Sequence, residues 1–389
     1  MHTLSRRAFL RVSTLAGAAT VAAACVPATA TPAPAGQPTA APAVPTAASQ
    51  PTLQPAMQPT TAAPVAAPTQ FREAPMLAEL VAAGELPPVD ERLPENPGVY
   101  PCYEMIGEYG GTLRRGFTGV SDSNGPAKVR DCSLSHYNPD LTLRTNLAEG
   151  WSVNEDGREW TVTLRKGTRW SDGAPFTSAD FVYHWEHVVM DPDLNPAGPS
   201  NPYTVTALDD NTVLFTYEEP FPLFAYSYNR DHPFAPGHYM RQFHKALADD
   251  PAAIDRMVAE EGLDGWTALY SDRNNWYMNP ERPDITPWVA KNELSNELFI
   301  MERNPFFFAI DPEGAQLPYI DRITHRLYEQ QDVFNLWILN GEIDWQSRGV
   351  SVANYTLFNE GKEAGGYNIL TWRSDGGQTL SINHDAKDP

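Results

Sequence analysis

The sequence predicts an α/β domain with a mixed β-sheet flanked by helices. Trp160, Val162 and Leu164 alternate with polar residues, as expected of a strand that buries one face. A helix is predicted shortly afterwards, because Thr177 can cap it and Asp180 stands three residues further on. From residue 110 onward, strand and helix patterns interleave irregularly, and this favours a mixed sheet over a purely parallel one.

Residues 1–25 are predicted to be an export signal and not part of the fold. The run S-R-R-A-F-L-R contains the pair Arg6 and Arg7 and is typical of a twin-arginine signal. The small apolar stretch that follows is shorter than the roughly 20 residues that span a bilayer. Three alanines then precede Cys25, as in a lipobox, so we expect Cys25 to carry the lipid anchor. The alternative is that Cys25 is incidental and a soluble peptidase cleaves nearby; both predict an extracytoplasmic protein, in the periplasm or at the cell surface.

Residues 26–70 are predicted to be a disordered N-terminal stalk. They consist almost entirely of Ala, Pro, Thr and Gln and carry no charge, so they cannot form a core. Frequent prolines favour extended segments, and at about 3.1 Å per residue the stalk could reach ~140 Å. The folded part is therefore expected to begin near residue 71.

Composition excludes several classes of function. The net charge of −21 would repel a phosphate backbone, so nucleic acid is not expected as a partner. The three cysteines form no C-x-x-C pair, and His184 and His187 lack further ligands nearby, so neither a metal site nor a cofactor is predicted. Outside the cytoplasm Cys102 and Cys132 could form a disulfide; the alternative is two unpaired thiols.

The remaining elements follow in chain order. Asn154 to Gly157 predict a hairpin turn, and a second hairpin is expected around residues 209–211. Asp250 followed by Pro251 predicts a helix start. A strand is expected over residues 320–328, and then a helix over 332–340 that Gly341 closes. Four tryptophans on the apolar faces of predicted strands or helices are expected to be core residues: Trp151, Trp160, Trp170 and Trp185.

Several segments together resemble the family 5 extracellular solute-binding proteins of ABC importers. The resemblance runs from about residue 110 to the end and rests on these segments: L-A-E-G-W at 147–151, W-T-V-T-L-R-K-G at 160–167, W-S-D-G-A-P-F-T-S-A-D-F at 170–181, E-R-N-P at 302–305, Q-L-P-Y-I-D-R at 316–322 and N-G-E-I-D at 340–344. Their order along the chain is more specific than any one of them alone.

The resemblance implies a periplasmic-binding-protein-like fold, in which two lobes surround a cleft. Residues 71–377 would form lobe I. Residues 378–389 resemble the first strand of lobe II, so the sequence resembles a protein truncated after lobe I, with lobe II largely missing.

The implied function is binding without catalysis. Such a lipoprotein takes peptides, oligopeptides or oligosaccharides into the cleft, closes by a hinge motion and delivers the solute to permease subunits. We expect a monomer and no enzyme, since no nucleophile–base or paired-acid constellation is found. The alternatives are a stalked extracellular hydrolase or adhesion protein, or a fragment that binds nothing.

Two loops are candidates for ligand contact. In this family the loop after the first strand of lobe I faces the cleft, which nominates Phe117, Thr118, Val120 and Ser121; the alternative is an ordinary surface loop. The loop after the predicted helix is the second candidate and contributes Asn195, Ser200 and Tyr203.

Overall fold

The computed structural model describes residue 68 and residues 70–371. Arg6, Arg7 and Cys25, nearly all of the predicted stalk, and the segment 378–389 lie outside these described residues.

The described chain contains twelve strands and ten α-helices. The strands are β1 Gly98–Val99, β2 Thr112–Phe117, β3 Ser135–Tyr137, β4 Leu143–Thr145, β5 Ala148–Val153, β6 Glu159–Leu164, β7 Tyr203–Asp209, β8 Thr212–Tyr217, β9 Trp288–Ala290, β10 Leu298–Arg303, β11 Ala309–Ile310 and β12 Arg322–Leu327. The helices are α1 Pro75–Ala82, α2 Val89–Arg92, α3 Asn124–Ala127, α4 Ser178–His184, α5 Phe224–Ser227, α6 Gly237–Met240, α7 Pro251–Glu261, α8 Trp266–Asn274, α9 Gln331–Leu339 and α10 Tyr355–Gly365.

The first sheet has the strand order β2-β12-β10-β9 and is mixed, as the sequence predicted. Strands β2 and β12 run parallel, from Thr112 opposite Arg322 to Phe117 opposite Leu327. Strand β10 pairs antiparallel with both β12 and β9. The parallel pair places the carboxyl ends of β2 and β12 at the same edge of the sheet.

The second sheet, of order β5-β6-β8-β7, is entirely antiparallel. The predicted alternation is confirmed in β6, where Trp160, Val162 and Leu164 are buried. In β8 the buried residues are Val213, Phe215 and Tyr217. The hairpin turns fall at the positions predicted, and the two-residue period therefore identified the buried faces correctly.

Helix ends follow local rules. Thr177 and Asp180 form the predicted capping box at α4, whose last turn widens into a π-helical segment, Trp185–Val189. The Asp250 side chain accepts a hydrogen bond from the Ala252 N–H at the start of α7, with Pro251 in the first turn. In the part of the chain that is described, no helix combines the length and apolar character needed to cross a bilayer.

The core divides between the two sheets. Around the second sheet Trp160 and Trp170 are buried, and Trp151 and Trp185 pack against the same cluster, which confirms their prediction as core residues. Around the first sheet a second cluster includes these buried residues: Phe117, Ala290, Leu294, Phe299, Met301 and Ile323.

The disulfide expected between Cys102 and Cys132 is not formed, and that prediction is wrong for this structure. Both thiols are free: Cys132 is buried, whereas Cys102 is exposed. The Cys132 sulfur lies 3.6 Å from the Asn146 side-chain nitrogen, within the core of the second sheet. Burial raises the pKa of the Cys132 thiol to about 12, so this thiol is unreactive near neutral pH.

Candidate functional site

The edge where β2 and β12 end is the candidate functional site. Phe117 and Leu327 are the last paired residues of the two strands, and the Tyr328 N–H donates to the Phe117 carbonyl at 2.9 Å. In open α/β sheets, ligands bind outside the carboxyl ends of parallel strands. Two segments border this edge, the loop 118–122 and the segment 344–350; together we call them the strand-end site.

Segment 344–350 is fastened to β2 by side chains. The Arg114 guanidinium donates to the Asp344 carboxylate at 2.6 and 3.0 Å. The Gln346 amide donates to the Gly116 carbonyl at 3.2 Å and accepts from the Gly116 N–H at 3.4 Å. These contacts hold both neighbours of Trp345 against the strand, and so they fix the position of its backbone.

Trp345 lies over a buried cation. The Arg115 guanidinium carbon is 4.7 Å from the centroid of the Trp345 ring, and Arg115 is 1% exposed. Arg115 also donates to the Gly125 carbonyl at 3.0 Å and to the Trp345 carbonyl at 3.3 Å. Burial lowers the pKa of Arg115 to about 10, against the opposing effect of the Asp122 charge. The indole itself is 48% exposed and presents a large apolar surface to solvent.

An ion pair joins the two segments of the site. The buried Asp122 carboxylate pairs with the Arg348 Nε and accepts from the Thr118 N–H at 3.2 Å. Gly349 follows with φ +77°, and a side chain there would collide with the Tyr328 hydroxyl. The loop after β2 and the segment after α9 are thus held together at Asp122.

A cavity of about 360 Å³ opens beside Trp345. Most of its wall is apolar and comes from α9, α10 and the chain that follows them, with Ile338, Tyr355, Phe358 and Leu370 among its lining residues. A concave apolar surface with a few polar groups at its rim is typical of small-molecule sites.

The structure separates the residues of the first candidate loop. Thr118, Val120 and Ser121 are exposed at the strand-end site, and their contact with ligand stays a prediction. The prediction that Phe117 contacts ligand is wrong: its side chain is fully buried in the first-sheet core. Strand β2 extends through residue 117, so Phe117 still follows the alternation of a strand and the loop begins one residue later.

The second candidate loop packs against the second sheet. Asn195 donates to the Val189 carbonyl at 2.7 Å, and the Tyr203 ring stacks on Tyr217 with centroids 5.2 Å apart. Ser200 is exposed. These contacts give Asn195 and Tyr203 structural roles, and the structure does not bring them together with the strand-end site on the first sheet.

The two histidines of the predicted helix do not form a metal site. His184 is turned into the protein, and burial lowers its pKa to about 4. The His187 ring lies near the Glu186 carboxylate, at 3.7 Å. Within residues 70–371, no group of three or more His, Cys, Asp or Glu side chains is arranged to hold a metal ion.

Sequence reasoning missed Asp122, Trp345, Gln346 and Arg348. Residues 340–344 carry part of the family resemblance, and that segment ends just before Trp345. A signal was available, because W-Q-S-R combines an aromatic ring, an amide, a hydroxyl and a charge directly after a helix that Gly341 closes.

Comparison with known proteins places this chain in a family. Residues 142–389 match the family described as "Bacterial extracellular solute-binding proteins, family 5 Middle". The periplasmic alpha-galactoside-binding protein of Rhizobium meliloti (strain 1021) is 30% identical over 289 residues, which are 66% of this chain and 39% of that protein. The periplasmic oligopeptide-binding protein OppA of Escherichia coli (strain K12) is 37% identical over 204 residues, 46% of this chain and 32% of that protein.

Two solved structures share the fold. An oligopeptide-binding protein OppA superposes with a TM-score of 0.75 at 38% identity, over 78% of this chain and 49% of that one. The binding protein MelB of Agrobacterium fabrum C58, in complex with stachyose, gives a TM-score of 0.62 at 25% identity, over 76% of this chain and 46% of that one. The chain spans less than half the length of each of these relatives. It belongs to the family 5 bacterial extracellular solute-binding proteins.

Proposed function

We propose that this chain is the solute-binding component of an ABC importer and that it binds oligopeptides or oligosaccharides with the strand-end site as one wall of its cleft. Family membership supports the class. The two ligand types come from the relatives, since one is an alpha-galactoside-binding protein, another is an oligopeptide-binding protein, and MelB holds stachyose. The solute would then be delivered to permease subunits in the membrane.

The observation that carries the proposal is the half-exposed Trp345 at the carboxyl ends of two parallel strands. Arg115 beneath the ring and the clamped neighbours Asp344 and Gln346 fix its position before any ligand arrives. A preorganised aromatic surface of this kind stacks on sugar rings and on apolar side chains with little loss of side-chain entropy.

A titration tests binding against the alternatives. Oligopeptide and oligosaccharide pools are added to the complete gene product that carries this sequence, and tryptophan fluorescence is followed. We expect a saturable change without product, which is smaller in Trp345→Phe and is retained in the control Trp276→Phe, whose ring packs against the first-sheet core.

Each other outcome has a separate meaning. Hydrolysis of a peptide or glycan would contradict the proposal and favour the hydrolase. Binding by the complete product, with a flat titration of the 389-residue chain alone, would show that this chain is a fragment with too little of the cleft. A flat titration of both would contradict solute binding.

We further propose how the domain reaches its permease. Residues 1–25 would direct export, Cys25 would carry the lipid, residues 26–70 would act as a tether, and residues 71–377 would form lobe I ahead of the first strand of lobe II at 378–389. A tether raises the effective concentration of a monomeric binding domain near a membrane partner without any new contact.

Cell fractionation tests the tether. Cys25→Ser should move the protein from the membrane to the soluble extracytoplasmic fraction, and Arg6→Lys with Arg7→Lys should leave it in the cytoplasm. Membrane retention of the Cys25→Ser protein would contradict the lipid anchor without touching the binding proposal.

A further inference from the structure

The strand-end site and the neighbouring Arg114 and Arg115 of β2 form a group of three arginines and two aspartates. This group carries one positive charge in excess, although the whole chain carries −21. Arg114 pairs with Asp344, and Arg348 pairs with Asp122. Arg115 forms no ion pair within the described residues, and its neighbour is the ring nitrogen of His325 at 3.4 Å. The excess positive charge is therefore that of Arg115.

Arg115 differs from the other buried arginines of residues 70–371. Arg92, Arg130 and Arg303 each pair with a carboxylate. Arg165 donates to two backbone carbonyls. Arg115 combines the lack of an ion pair with a terminal nitrogen, Nη2, that has no hydrogen-bond partner in the described chain. A buried cation without an ion-pair partner is costly, and a negative charge on a bound solute would add to the partial compensation that Asp122 provides.

Arg348 provides the accessible part of the same cluster. Asp122 holds it through Nε, and its two terminal nitrogens have no partner among the described residues. Its side chain is 41% exposed. A guanidinium fixed at Nε can offer two parallel N–H donors to a carboxylate. Gly125 lies between the two arginines, since Arg115 donates to its carbonyl and the Arg348 Cδ is 3.8 Å from where a Cβ would stand.

We propose that the terminal nitrogens of Arg348 bind a carboxylate of the transported solute beside the Trp345 ring, with Arg115 as the buried second cation. The proposal rests on the proposed function and narrows its substrate class to solutes with a free carboxylate. That group is either the carboxyl terminus of a peptide or the uronate of an acidic oligosaccharide, because both present the same planar anion to a guanidinium.

Calorimetric titration of the complete gene product tests this with two matched pairs of probes. Trialanine is compared with trialanine amide, and trigalacturonate with neutral stachyose. In the pair that binds, we expect the acid to bind at least about tenfold more tightly than its neutral counterpart, as for a charge-assisted hydrogen bond. The pair that responds identifies the source of the carboxylate.

Arginine variants then test whether Arg348 and Arg115 cause the preference for the acid over its neutral counterpart. Arg348→Gln should bring the acid-to-neutral ratio close to one, and Arg348→Lys, which keeps the charge near Asp122, should give an intermediate ratio. Arg115→Met should reduce the ratio a few-fold. Arg322→Gln is the matched control: Arg322 also forms one ion pair, with Glu302, and is 46% exposed, and its loss should leave the ratio unchanged.

The outcomes distinguish a failure of the carboxylate site from a failure of the proposed solute binding. Equal affinity for acid and neutral probes in the unmodified protein would overturn the carboxylate site and leave solute binding intact. A ratio that survives in both Arg348 variants would do the same. If none of the four probes binds, the proposed function fails for these solutes and the carboxylate site falls with it.

Discussion

Two of the arginine–tryptophan cation–π pairs in the described chain have different surroundings and, we infer, different roles. Arg130 lies 3.8 Å from the centroid of Trp276, and Arg115 lies 4.7 Å from that of Trp345. Arg130 also pairs with the buried Asp284, whereas Arg115 forms no ion pair in the described chain. Trp276 packs against the first-sheet core, and Trp345 is half exposed. We call the first the closed pair, because a carboxylate neutralises its arginine and its ring packs against the core. In the second pair the ring is half exposed and the buried arginine has no ion-pair partner among the described residues.

The closed pair belongs to a network that joins distant parts of the chain. Asp284 receives Arg130 and has Arg282 at 3.8 Å, and its backbone exchanges hydrogen bonds with Ser171 at 2.8 and 2.9 Å. The Ile285 N–H also donates to the Asp284 carboxylate at 2.8 Å. A carboxylate with this many donors stabilises the fold, while a cation without a carboxylate is suited to meet one from outside.

The largest expected effect comes from breaking the closed network. Asp284→Asn should lower the free energy of unfolding by about 3–5 kcal/mol, because it leaves the buried Arg130 and the mostly buried Arg282 without their counter-charge. Urea denaturation at pH 7 measures the loss. Glu302→Gln, which breaks the exposed pair with Arg322, is the control and should cost less than about 1 kcal/mol. A similar loss of stability in both variants would mean that the buried Asp284 network stabilises the fold no more than the exposed Glu302–Arg322 pair does.

Removing the two rings should have unequal consequences for stability. Trp276→Ala is expected to cost about 2–4 kcal/mol, because it opens a cavity against the first-sheet core. Trp345→Ala should cost about 1 kcal/mol or less, since it removes a half-exposed ring and one cation–π contact. Thermal and urea unfolding of both variants provide the comparison. Equal losses would show that Trp345 is a structural residue, and its proposed ligand role would lose its support.

Sequence reasoning succeeded where the determinants are local. The buried faces of β6 and β8 follow from a two-residue period, and the start of α4 follows from Thr177 and Asp180, three positions apart. Each rule needs only neighbouring residues and backbone geometry. Of the four predicted core tryptophans, Trp160 lies on β6 and Trp185 directly follows α4.

The strand-end site could not be derived in this way. Its contacts join residues 230 positions apart, Arg114 to Asp344 and Gly116 to Gln346, and they exist only because β2 and β12 pair in parallel. Phe117 was placed in a loop because the end of β2 depends on the same pairing. For Cys102 and Cys132, the oxidising compartment only makes a disulfide possible, and chain spacing gives no measure of the distance between the two thiols.

A third comparison concerns pH, because a histidine lies near each arginine. His325 lies 3.4 Å from Arg115, and His232 contacts the Cys132 carbonyl and feels the charges of Arg130 and Asp284. Burial, followed by the charge of the neighbouring arginine, lowers the pKa of His325 to about 3 and that of His232 to about 4. The unfolded chain takes up a proton at each histidine near its ordinary pKa of 6.5, while the folded chain does not. Stability should therefore fall as pH is lowered from 6.5 towards 4, by up to about 1.4 kcal/mol per pH unit for each histidine.

Histidine variants test which residues cause this dependence of stability on pH. His325→Gln and His232→Gln should each make the decline between pH 6.5 and 4 shallower in urea denaturation, and the double variant should be flatter than either. His325 is 0% exposed, so the His325→Gln substitution should change the pH dependence of stability more clearly than His232→Gln does. An unchanged slope in His325→Gln would contradict a neutral His325 beside Arg115.

The smallest expected effect on stability is that of replacing Arg115, and it gives the most direct comparison with Arg130. Arg115→Met should leave the free energy of unfolding unchanged to within about 1 kcal/mol, because the lost hydrogen bonds to Gly125 and Trp345 are offset by removal of an unpaired buried charge. Arg130→Met should cost about 3 kcal/mol, since it takes a partner from Asp284. Both are measured by urea denaturation. A cost of 3 kcal/mol for Arg115 as well would mean that its charge is compensated inside the protein, and an arginine already compensated has no need of a solute carboxylate.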